Sequence, residues 1–151
     1  MKKFHFSLRP VAIMRAHREL CAREALAAAT VACTRTEERL AATRGRLTEL
    51  EGIIRTSRRT SFRAADGAAF GQAYRREWTA EADAQKQVAS ARAALEKRRE
   101  ACIEANRHLQ VITRLEDKAR ATHQQETQRA EQAEIDEMAG RRASRRRNAS
   151  S

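Results

Sequence analysis

Residues 22–54 read AREALAAATVACTRTEERLAATRGRLTELEGII. Leu26, Cys33, Leu40, Leu47 and Ile54 follow one another at intervals of seven. Ala22, Ala29, Thr36, Thr43 and Leu50 form a companion series, each four residues ahead of a member of the first. On a helix, two such series merge into a single stripe, the a and d positions of a coiled coil. The second series is mostly small or polar, so the seam is thin or the helices approach closely. Gly45 and Gly52 cost roughly 1 kcal/mol each against alanine in a helix interior, so this helix needs a partner to persist.

The partner is in the same chain. Val88, Leu95, Cys102 and Leu109 repeat at seven, with Ala84, Ala91, Arg98, Ala105, Ile112 and Ala119 as companions. Ser7 is a candidate N-cap for the first helix, and Pro10 falls in its first turn, where proline is tolerated. Thr56 to Gly71 holds turn-prone side chains and the Asp66-Gly67 dipeptide. Gly140 offers a C-terminal stop. The expected fold class is therefore all-α, a long antiparallel two-helix coiled-coil hairpin. It places helices at about 7–58 and 70–139, a turn at about 59–69, and one domain over 1–140. Residues 141–151 are expected to be a basic disordered tail.

Composition excludes the main alternatives. Of 151 residues, aromatics make up 4% and charged residues 34%, with one proline; there is too little large apolar surface for a layered globular core. Disorder is disfavoured because Ala, Arg, Glu, Leu and Gln, the strongest helix formers, dominate. Three cysteines, Cys21, Cys33 and Cys102, are an odd number with no C-x-x-C pair, which favours a reducing cytoplasm over a disulfide scaffold. Residues 1–14 contain His5, Ser7, Arg9 and Pro10 and do not read as a signal peptide; no run approaches the length of a membrane span.

The net charge of +11 is unevenly spread. Residues 1–60 carry 13 basic and 6 acidic groups, residues 101–140 carry 5 and 8, and residues 141–151 carry 5 basic groups and none acidic. An antiparallel pairing brings the positive first helix against the negative part of the second. The excess also raises a nucleic-acid reading. No zinc finger, continuous basic zipper or RNA-binding signature supports it, and nucleic acid is not an expected partner.

No catalytic constellation emerges. His5, His17, His108 and His123 have no metal-ligand spacing, no phosphate-binding glycine loop exists, and neither a metal nor a cofactor is expected. Cys33 and Cys102, on the seam, read as small buried hydrophobes; Cys21 has no assigned role. Three features stand out instead. Phe70, Tyr74, Trp78 and Glu81 share one face near the start of the second helix. They either cap the hairpin end against Phe62, Ile53 and Ile54 or form a docking face. The basic tail reads as a solubilising end or a contact. Phe4-His5-Phe6-Ser7-Leu8 reads as a hydrophobic staple on the first helix or as a contact.

The opening Phe4-His5-Phe6-Ser7-Leu8-Arg9-Pro10-Val11, followed by Arg15 and Glu19, resembles the start of the flagellar export protein FliJ family. The run from Leu115-Glu116-Asp117 to Glu131-Gln132-Ala133-Glu134-Ile135-Asp136-Glu137-Met138-Ala139 resembles that family's end. The resemblance implies a non-enzymatic cytoplasmic component of the flagellar type III export apparatus, peripheral at the cytoplasmic face of the inner membrane. It would resemble the central stalk of a rotary ATPase. Its implied partners are the hexameric export ATPase, the cytoplasmic domain of the export gate, and export chaperones. By the resemblance, Phe70, Ala73, Tyr74, Glu77 and Glu81 would meet the gate, and Arg15, Arg18, Asp136, Glu137, Met138 and Arg141 the ATPase pore. The alternatives are the equivalent stalk of a virulence injectisome and a non-specific nucleic-acid-binding coiled coil.

Overall fold

The computed structural model describes residues 3–60 and 63–149. Two helices, α1 (Arg9–Ser57) and α2 (Ala64–Ala149), account for almost all of them, and no strand occurs among the described residues. The chain divides into two compact units, Leu20–Glu104 and Met1–Glu19 with Ala105–Ser151.

In the Leu20–Glu104 unit, partners rise along α1 as they fall along α2. Glu37 meets Arg92, which donates Nε–H and Nη2–H to Glu37 Oε1 at 3.0 and 2.9 Å. Arg44 meets Glu81, Arg46 meets Glu77, and Glu51 meets Tyr74. The helices are antiparallel, and the two α1 series form the seam: all ten positions are buried or half-buried, with Cys33, Thr43 and Leu47 buried. Across from them Val88 is buried, and Ala84, Ala91, Leu95 and Cys102 are half-buried. Arg98 alone of these companions is exposed; its long stem lets the guanidinium leave the seam for water. Threonine at a seam position is tolerated because its hydroxyl bonds back along its own helix. Thr43 Oγ1 donates to Arg39 O at 3.0 Å, and Thr36 Oγ1 to Cys33 O at 2.8 Å.

The Met1–Glu19 and Ala105–Ser151 unit has the same antiparallel sense. Arg15 Nη1 donates to His108 O at 3.0 Å, and Arg9 sits 3.7 Å from Glu116. Phe6 and Glu19 are buried on one side, and Ile112, 2% exposed, on the other. Phe4 packs edge-on to His123, with ring centroids 5.5 Å apart, and Arg120 lies over its ring at 5.7 Å. The segment before α1 thus seats Phe4 on α2, rather than stapling it to α1. From Gln128 to Ala149 every residue is exposed.

Helix limits differ from the sequence reading in three places. A turn at Ser7–Leu8 precedes α1, which begins at Arg9 with Arg9 N–H on Phe6 O. The expected turn at about 59–69 is shorter: α2 already starts at Ala64, and Asp66 and Gly67 belong to its first turn, both N–H groups donating to Arg63 O. A carboxylate there is favoured by the positive end of the helix dipole. Phe62, expected to help cap this end, lies outside the described residues. Finally, Gly140 does not stop α2, and Arg141–Ala149, expected to be disordered, is helical. No glycine adopts positive φ among the described residues. The Glu137–Arg141 ion pair spans the glycine at i,i+4, and Arg146 and Arg147 occupy the last turn, where basic side chains suit the dipole.

Candidate protein-interaction surfaces

Carrying the seam series backwards from Val88 and Ala84 by sevens reaches Glu81 and Tyr74 on one line, and Glu77 and Phe70 on the other. The structure places these four on the side of α2 that faces α1. All four, and Ala73, are half-buried. Arg44 Nε donates to Glu81 Oε1 at 2.9 Å, and Arg46 Nε to Glu77 Oε2 at 3.0 Å. Such pairs between partly exposed groups contribute about 0.2–1 kcal/mol each, so their main effect is on register. The Tyr74 hydroxyl donates to Glu51 Oε1 at 3.1 Å. That hydrogen bond, with partial burial and the Glu51 and Glu81 charges, pushes the Tyr74 phenol above its ordinary value, since a phenolate would face carboxylates.

Trp78 differs from its neighbours. It is 59% exposed, and its ring stacks on Tyr74 at 6.2 Å between centroids and 29° between planes. The face expected to dock a partner therefore has an inner part committed to α1 and one large outward ring. Sequence reasoning missed Arg44, Arg46 and Glu51, the α1 side of this arrangement. Their signal was the antiparallel register, which pairs a basic residue on one helix with an acidic one on the other.

The second candidate set falls in the other unit. Arg15 is half-buried through its bond to the His108 carbonyl, whereas Arg18 is exposed. Asp136, Glu137, Met138 and Arg141 are exposed on the C-terminal part of α2. Asp136 accepts from Gln132 at 2.9 Å, and Glu137 pairs with Arg141. Ile135 and Met138, both 55% exposed, stand three residues apart on one face and open a shallow surface with Ala139 and Arg142. These are side chains of core type with no described residue over them.

The remaining chemistry is sparse. Among the described residues no group of three or more His, Cys, Asp or Glu is placed to hold a metal ion, and no helix is long and apolar enough to cross a membrane. Cys33 is buried on the seam, Cys102 half-buried, and Cys21 exposed.

Neither the comparison with curated proteins nor that with solved structures gives a match. The family described as Flagellar FliJ protein matches residues 4–148, from the N-terminal aromatic segment to the arginine-rich end of α2. With a match over nearly the whole chain, and two antiparallel helices and no strand to go with it, the chain belongs to the FliJ family, a component of the flagellar type III export apparatus.

Proposed function

We propose that this protein works without catalysis, as the central-stalk-like coiled coil that binds the hexameric export ATPase and links it to the export gate, aiding delivery of chaperone-bound substrates. The reading places it in the cytoplasm, at the cytoplasmic face of the inner membrane. The observation that carries it is the stretch from Gln128 to Ala149: a helix whose residues are all exposed, Ile135 and Met138 among them. An amphipathic helix gains most of its stability from burying such a face, so another protein is the natural cover. In this reading Asp136, Glu137, Met138 and Arg141 enter the ATPase pore together with Arg15 and Arg18. Phe70, Ala73, Tyr74, Glu77 and Glu81 shape the gate contact, with Trp78 as its outward anchor.

The test is the hydrolysis rate of the same organism's flagellar export ATPase, with and without the protein. Stimulation is expected, and it should be lost when residues 130–151 are removed. No stimulation together with no complex would overturn the reading, and the injectisome ATPase would be assayed next.

A further inference from the structure

The arginines of the Leu20–Glu104 unit fall into two groups. Arg44, Arg46 and Arg92 each rest on a carboxylate of the opposite helix. Arg55, Arg58 and Arg59, at the end of α1, form no ion pair with any described residue. All three line one groove of about 630 Å³, whose other walls are Ile54, Glu51 and Tyr74. It is an open surface groove, suited to an extended chain rather than to an enclosed small molecule. Arg58 and Arg59 lie on the turn that follows α1, where Arg58 N–H donates to Ile54 O and Arg59 N–H to Thr56 O, both at 3.1 Å. Glu51, the one carboxylate in the wall, is occupied by the Tyr74 hydroxyl. The groove therefore presents three guanidiniums against a single engaged acid, beside an aliphatic and an aromatic wall.

We propose that this groove is a binding site for a carboxylate-rich peptide segment of a partner protein. Guanidinium forks match carboxylates in a two-bond geometry. Tyrosine and arginine together are the residues that concentrate binding energy in protein interfaces. A recess with an Ile54–Tyr74 wall accepts side chains of a peptide, whereas a flat lipid surface or a duplex would meet the arginines and leave that wall empty. The floor includes Gly71, where an added Cβ would touch nothing within 4 Å. A larger side chain there would fill the groove without disturbing α2. The groove shares Tyr74 with the proposed gate contact, but the peptide titration contains neither ATPase nor gate, so its failure is distinguishable from failure of the export reading.

The experiment titrates full-length protein into a fluorescein-labelled octaglutamate peptide and follows anisotropy, with circular dichroism to check each variant's helicity. Arg55→Gln with Arg58→Gln and Arg59→Gln should weaken binding about tenfold or more. The same loss of charge at Arg145, Arg146 and Arg147 should change it less than about twofold. Gly71→Leu, which leaves the charge untouched, should weaken it about fivefold. Equal losses from the two arginine triples, or unchanged binding in Gly71→Leu, would overturn the proposal in favour of diffuse attraction to a basic protein. Phosphatidylglycerol vesicles and a short DNA duplex serve as competing probes. Tighter binding of either one, lost in the groove triple while the peptide is unaffected, would also overturn it.

Discussion

Tyr74 is the only tyrosine in the chain, so its ionisation can be followed without interference from another. Its hydroxyl donates to Glu51, and the phenol is held above its ordinary value of 10.0. A folded-state value above the unfolded one means that the paired chain holds the proton more tightly. The stabilisation is thus fully present below the unfolded value near 10, and is lost as pH rises through the folded value. A spectrophotometric titration of the tyrosinate band should give a midpoint above that of a free tyrosine. In Glu51→Gln the midpoint should fall back towards the ordinary value. An unchanged midpoint would show that the hydrogen bond does not persist in solution.

At the scale of the helices, the seam tolerates substitutions that a globular core would reject, because each position meets only one opposing helix. Gly45 and Gly52 are helical, and an added Cβ at either would touch nothing within 4 Å. Replacing each with alanine should stabilise the fold by about 0.5–1 kcal/mol, by lowering the chain entropy lost on folding. Thermal melts followed by circular dichroism should show a higher Tm for each variant and a still higher one for the pair. The two α1 series were fully legible in the sequence because leucine, isoleucine and cysteine recur on one of them. The seam beyond Val88 was not, since Glu81, Glu77 and Tyr74 hold its positions with polar groups that periodicity of apolar residues does not register. Burial there rests on ion pairs to Arg44 and Arg46, and those become visible only once the register is known. The helical state of Arg141–Ala149 was hidden for a related reason. Glycine and a run of arginines suggest an end, but the Glu137–Arg141 pair and the helix dipole carry α2 through.

For the molecule as a whole, +11 charges invite the idea of a nucleic-acid binder. Outside the end of α1 and the arginine-rich end of α2, its basic groups are interleaved with acids, and several are held by carboxylates, as Arg44, Arg46, Arg92, Arg120 and Arg141 are. Counterion release from phosphates therefore draws on two short basic stretches rather than on a continuous basic face. Duplex DNA should be retained weakly at low ionic strength and not at physiological salt, as read by filter binding over a salt series; tight retention at physiological salt would restore the nucleic-acid reading. The same cross-helix pairing limits how the chain can change in length during descent. Removing or adding residues in one helix alone would slide Arg44, Arg46 and Arg92 off Glu81, Glu77 and Glu37 and turn the seam away from its mate. Insertions and deletions that survive in the Leu20–Glu104 unit should therefore come as matched events on both helices, in steps of seven on each. Relatives of different size would then differ by whole coupled blocks, a quantised inheritance of length written into one register.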